Sequence, residues 1–347
     1  MTLSLTSSNI LLSLEATLFF LRFGILAFAV YYACNCNKNF IINIYKSLII
    51  FFLIIFIDSI IQYLFGKNIF GYLYTENRVS SFFKDEKILG SYTSMFLSIL
   101  LLITYYLIRQ KKYYFYISIT LIAFFLIILS NERAAFINFI IIITFFIYYI
   151  SNNLRNFVYI FLSFLMILLI SLYSNVNLKE RIVDLTIKQI TTIDYINNNQ
   201  DFEKFNFVPS VYKYYYNSSY NMFLDHKYFG IGPKNFRYMC KKEKYYHDRS
   251  CSTHPHHRFL QLFTETGIIG ATPFVLIFLF SLYKVSFVFI NKHKFSFATY
   301  LFFLNILIYF NPLLPSGNLF GSNINLIFFF NLGLFFFMNS KYINDKI

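Results

Sequence analysis

The chain has 347 residues, of which 57% are hydrophobic and only 13% charged, with a mean hydropathy of +0.55. A soluble globular protein carries about 25% charged residues, so the composition excludes one. The formal net charge of +14 sits on the flanks of apolar runs and in one loop rather than on a soluble basic face, which excludes nucleic acid as a partner.

Apolar runs of about 20 residues match the length that crosses a roughly 30 Å hydrocarbon core as helix. Nine occur, at 10–32, 47–65, 91–108, 113–130, 132–150, 155–174, 259–282, 296–311 and 319–338. The expected fold class is all-α: a polytopic helical membrane protein of about nine transmembrane helices with one large helical loop, embedded in a lipid bilayer. It divides into an N-terminal bundle (1–174), the loop (175–258) and C-terminal helices (259–347).

The first run contains Glu15 and Arg22 and lacks a small-residue cleavage site, so it reads as a retained helix and not as a signal peptide. Glu15, Arg22 and Asp58 are the only charges well inside spans, and Glu15 with Arg22, seven apart, reads as a buried structural pair. Only Asn131, Glu132 and Arg133 separate the fourth and fifth runs. Lys and Arg collect in the segments 33–46, 109–112, 151–154 and 283–295 and at the C-terminus, which the positive-inside rule assigns to the cytoplasm. The long loop then lies outside, in the periplasm of a Gram-negative host. An odd number of spans also places the N-terminus outside, unless a start further upstream adds one more or the 113–130 and 132–150 runs are a single span.

Within the long loop, DLTIKQITTIDY and VYKYYYNSSYNMFLDHKYF have helical apolar spacing, and NNNQDFEK between them reads as an exposed turn. DHKYFGIGPKNFR contains Gly230, Gly232 and Pro233 and reads as a turn, not a nucleotide loop. Cys240 and Cys251, 11 positions apart outside the cytoplasm, are expected to form a disulfide. Cys34 and Cys36 read as reduced and incidental.

The segment CSTHPHHRFLQLFTETGIIG (251–270) is the richest in chemistry. The spacing predicts a helix that starts near Ser252–His254, with Pro255 in its first turn. His257, Gln261 and Glu265 then form one polar stripe at i, i+4 beside Arg258, with His256 on the adjacent face and His254 at the cap. Gly267 and Gly270 are expected to allow close helix packing. Polar groups at a membrane boundary are costly to desolvate, and histidine is a base near neutral pH. The histidine spacings of two and one do not match a zinc pattern, so no metal and no cofactor are expected. Arg78 and Arg133 lie on the same side. Arginine forks match phosphate oxygens, and two arginines with a histidine suit a lipid-linked diphosphate. Each alone reads equally as a snorkelling or structural charge. No D-x-D occurs, which favours a metal-independent transfer from a lipid-linked donor.

HPHHRFLQLFTETGIIG resembles the H-x-H-N-x-x-L-Q-x-x-x-E-x-G-x-x-G signature of the O-antigen ligase and polymerase superfamily. DHKYFGIGPKNF, SNERAAF and RVSSFFKDEKILGSY resemble three further segments of that family. The resemblance implies a bacterial inner-membrane glycosyltransferase acting on undecaprenyl-diphosphate-linked glycans at the periplasmic face. His256 would be its catalytic base, with Glu265 orienting the site. Arg78 and Arg133, with Arg258 beside them, would bind the diphosphate. His254, His257 and Gln261 would support it. The acceptor would be lipid A–core, as in a ligase, or a second glycan, as in a repeat-unit polymerase. Where the family usually has Asn, this chain has His257, and Lys227 replaces a proline. A transporter or flippase, or an inactive scaffold, are the readings from other classes.

Overall fold

In hydrocarbon every backbone N–H and C=O needs an internal partner, which leaves the helix as the way for these apolar runs to cross. A computed structural model describes residues 7–37, 39–108, 113–151, 154–174, 176–185, 187–188, 210–290 and 296–344. Its long helices are α1 (Ile10–Cys36), α2 (Phe40–Phe65), α3 (Leu89–Ile108), α4 (Tyr113–Ser130), α5 (Arg133–Ile150), α6 (Leu154–Ser174), α7 (Ser210–Asp225), α8 (Arg258–Ile290), α9 (Phe297–Tyr309) and α10 (Asn323–Asn344). Among the described residues there is no strand, only two isolated antiparallel bridges, Lys67 with Leu73 and Thr75 with Arg78.

Each of the nine apolar runs is a helix. Seven (α1–α5, α8 and α10) are long and apolar enough to cross a bilayer, and α6 and α9 are shorter apolar helices. The protein is a polytopic helical membrane protein. The close pair α4 and α5 is two helices: Asn131 takes a left-handed φ of 52°, and Glu132 is the extended residue before α5. In the loop, α7 occupies most of the second expected helix. NNNQDFEK and eight of the twelve residues of the first lie outside the described residues.

The chain forms two compact units. The larger comprises 27–184, 285–305 and 327–347. Its centre is α3, whose Leu97, Leu100, Leu101 and Ile103 are fully buried against α2, α4 and α5. The buried Asp58 of α2 does not sit bare in lipid. Its carboxylate accepts from Ser81 Oγ (2.5 Å), Ile69 N (3.0 Å) and Asn68 Nδ2 (3.3 Å). One turn on, Gln62 accepts the N–H of Ser80 and Ser81. These two side chains fold the 66–81 loop back on the end of α2, which sets the position of Arg78.

The smaller unit comprises 1–26, 185–284 and 306–326. Here the expected pairing of Glu15 with Arg22 does not occur. Both side chains are exposed, and Arg22 donates to Ser322 Oγ at 2.7 Å instead. Two turns of helix separate the two charges by about 10 Å along the axis, too far for an ion pair. This unit also has a small core of its own, Met222, Ile231, Phe236, Met239, Cys240 and Tyr245, with Cys251 packed on it. Cys240 and Cys251 are disulfide-bonded, with Cα atoms 5.3 Å apart.

α8 is not one continuous helix. Gly267 has φ 64° and ψ −173° inside it, so the residue expected to let helices pack closely instead breaks one. The 226–232 turn splints the break. Ile231 N and Gly232 N donate to the carbonyls of Thr264 and Glu265 (2.9 and 3.0 Å). On the far side, Ile268 N and Ile269 N donate to the carbonyls of Lys227 and Tyr228 (2.8 and 3.3 Å). The groups freed by the break, which would be costly to leave unpaired in an apolar setting, are thereby satisfied. A side chain at Gly267 would meet the backbone of Tyr228 and Phe229, and one at Gly230 the backbone of 265–267.

Candidate functional site

The sequence segments singled out above meet in two pairs, one in each unit. In the larger unit, RVSSFFKDEKILGSY meets SNERAAF. Glu132 accepts from Gly90 N (2.9 Å), Ser91 N (3.1 Å) and Ser91 Oγ (2.6 Å), so its carboxylate caps the first turn of α3, where an anion is favoured. Gly90 has no room for a side chain: a Cβ there would press on Ser130, Ala135 and Glu132. Arg78 donates to the carbonyls of Ser130 (3.1 Å) and Lys87 (2.8 Å) and lies 3.6 Å from Glu132. Its guanidinium binds two loops together. Arg133 is the first residue of α5 and is half-buried.

In the smaller unit, DHKYFGIGPKNF meets the histidine segment. The helix begins at Arg258, not near Thr253, so His254, Pro255, His256 and His257 lie before it. His257 is its cap. Its Nδ1 accepts the N–H of Leu260 (3.2 Å) and its carbonyl accepts that of Gln261 (2.8 Å). Its Nε2 faces the carbonyl of Pro312 at 3.0 Å, so the ring carries its proton on Nε2. Burial lowers the pKa of His257, and the Pro312 bond opposes that shift. Asparagine offers the same one acceptor and one donor, so His257 can do here what an amide would.

His256 stands apart from the expected helix face. Its φ of 55° is left-handed, a strained state for a residue with a Cβ and one that clusters at functional sites. Ser316 N donates to its carbonyl (2.9 Å), which fixes that conformation. The half-buried ring lies among those of His254 (4.3 Å), Tyr215 (5.1 Å) and Tyr212 (5.9 Å), with Ser252 Oγ 3.3 Å from Nε2. Burial lowers its pKa, so at neutral pH it is an uncharged imidazole.

His254 is buried, with Nδ1 2.9 Å from Thr253 Oγ1. Burial, then the nearby His256, Arg258 and Arg237, push its pKa down to about 3. Arg258 is 7% exposed. It donates to the carbonyl of Tyr309 (2.6 Å) and stacks 4.0 Å over that ring. Among the described residues, the Nε atoms of Arg258 and Arg237 are buried without a hydrogen-bond partner. Arg237 was missed from the sequence, where it reads only as the end of a turn.

Gln261 and Glu265 keep their i, i+4 relation, and both are fully buried. Gln261 donates to Glu265 (3.1 Å) and Asn318 (2.9 Å) and accepts from Leu319 N (2.8 Å). Glu265 accepts from Phe236 N at 3.2 Å. The stripe therefore ties the 234–236 and 318–319 segments to the first half of α8. Among the described residues no group of three His, Cys, Asp or Glu is placed to hold a metal.

The fold and these residues define a multi-pass helical membrane protein with a histidine- and arginine-lined polar site next to a helix start. Residues 117–275 match the model of the family described as O-antigen ligase. This segment, which is less than half of the chain and includes Arg133, the splinting turn and the histidine segment but not Arg78, is similar to that family. That family is one of membrane glycosyltransferases of the ligase or polymerase type. No curated protein matches the chain.

Proposed function

We propose that the protein transfers a glycan from an undecaprenyl-diphosphate-linked donor to an acceptor hydroxyl, with inversion at the sugar and without a metal, on the periplasmic face of a bacterial inner membrane. The observation that carries this reading is His256: a half-exposed imidazole, its pKa lowered by burial, held in a left-handed backbone state two residues before the buried Arg258. The imidazole takes the acceptor proton as the acceptor oxygen bonds to the anomeric carbon. The bond from that carbon to the diphosphate oxygen breaks, and the lipid diphosphate leaves with its electron pair. Arg258, with Arg133 and Arg78 as the resemblance assigns them, offsets the charge that develops on the leaving group. Glu265 and Gln261 are positioning residues, because their polar atoms hold backbone on either side of the site. His254 and His257 support it, His257 through the helix start.

The acceptor decides between the two reactions of the family, and we favour the ligase, which delivers the glycan to lipid A–core. A surface-glycan gel of the native host carrying His256→Ala tests both points. Loss of banded long-chain lipopolysaccharide, with lipid-linked polymer accumulating, is the expected result. Survival of single-repeat species on the core would make the protein a polymerase. An unchanged ladder, with the variant expressed and no redundant paralogue, would remove His256 from the chemistry.

A further inference from the structure

Glu15 and Arg22 of α1, with Lys234, Phe320 and Ser322, line a groove of about 240 Å³ in the smaller unit. That is room for about eight waters at roughly 30 Å³ each, more than a single inorganic ion fills. Arg22 donates to Ser322, the residue just before α10, so its guanidinium lies level with the end of that helix. Charged heads at this level are where lipid headgroups meet a membrane protein. The guanidinium also rests on Phe23 (4.9 Å) and Phe19 (5.8 Å). Phe20 and Phe320 pack edge to face at 5.7 Å, giving the groove an apolar floor. Glu15, Arg22 and Lys234 form no ion pair among the described residues.

Two cations, one carboxylate and an aromatic floor are the complement of a zwitterionic amphiphile. We propose that this groove binds the headgroup of an aminophospholipid, its phosphate on Arg22 and Lys234, its ammonium on Glu15 and its chains along the phenylalanines. The carboxylate decides the headgroup: an anionic lipid without an amine would place its negative charge in the same groove as Glu15. The site is separate from the histidines and stands whether or not the glycan-transfer reading holds. It touches that reading at one place, since Lys234 lies in the 234–236 segment that Glu265 holds.

Native mass spectrometry of the full chain, released from nanodiscs of equal parts phosphatidylethanolamine and phosphatidylglycerol, tests it. The wild type is expected to retain phosphatidylethanolamine at least fivefold over phosphatidylglycerol. The double variant Arg22→Ala, Lys234→Ala loses both, and Arg22→Lys keeps the preference. Glu15→Gln, a same-size change at an exposed position, keeps bound lipid but loses the selectivity. Equal retention of the two lipids by the wild type, or an unchanged preference in Glu15→Gln, overturns the proposal. So does displacement of the lipid by millimolar inorganic phosphate, which would make the groove a site for free anion.

Discussion

At the scale of single residues, the three histidines are neighbours with different work. His256 is the base in the proposed reaction, and removal of a general base costs about 10²–10⁴-fold. His256→Ala is therefore expected to slow transfer by that range in reconstituted vesicles while leaving the protein folded. The pH profile carries the sign. Only the uncharged ring accepts a proton, and burial lowers its pKa, so the rate should rise with pH through a value below the ordinary 6.5 and be level from neutral upward. An acid limb centred above 7 would show that another group is the base. His257 is expected to tolerate Asn, which supplies the same acceptor and donor, and to lose about 1 kcal/mol as Ala through the missing cap, read as a lower melting temperature in detergent. His254 links folding to pH. The unfolded chain takes its proton near 6.5, while the folded one takes it only at about 3. Its stabilising contribution is full above about pH 6.5 and fades as pH falls from there toward 3, so thermal stability should drop on acidification, and His254→Gln should flatten that slope.

At the scale of elements, the break in α8 and its splint are one device. Gly267→Ala forces a side chain into a left-handed position and into the backbone of Tyr228 and Phe229. Such changes cost more than about 1 kcal/mol, and Gly230→Ala fails for the same reason from the other side. Size-exclusion profiles and melting curves should show both variants aggregated or strongly destabilised, whereas Gly24→Ala, with open space around it, should behave as wild type. The membrane helices were legible in the sequence because twenty apolar residues leave the chain one solution. The device at Gly267 was not. Gly230, Gly232 and Pro233 announce a turn, but nothing in their spacing says that the turn wraps a helix forty residues later. The polar stripe was legible in part: Gln261 and Glu265 share a face as their spacing requires. The helix starts four to six residues later than expected, at Arg258, with His257 Nδ1 accepting the N–H of Leu260 in its first turn. That shift took His256 off the helix. Ser316, Asn318 and Pro312, which hold the histidine segment from another loop, carry no local signal at all.

At the scale of the whole molecule, charge and redox chemistry bear on the proposed topology by independent routes. The cation-rich connections fall on one side of the spans, the cytoplasmic side by the positive-inside rule. Cys34 and Cys36, at the end of α1 on that side, are free. Cys240 and Cys251, in the loop assigned to the opposite side, are bonded, as expected of an oxidising compartment and not of the cytosol. The bond closes 11 residues, worth about 3 kcal/mol in the chain-entropy model, and it ties Cys251, five residues before His256, to the small core around Phe236. Alkylation of the denatured protein from growing cells, without reductant, should therefore block two thiols of the four, Cys34 and Cys36, with the other two appearing only after reduction. Four free thiols would place the 240–251 arm in a reducing compartment and take the periplasmic site with it. Cys240→Ser with Cys251→Ser should lower the melting temperature and, by loosening the arm that presents the histidines, reduce transfer more than it reduces the amount of folded protein.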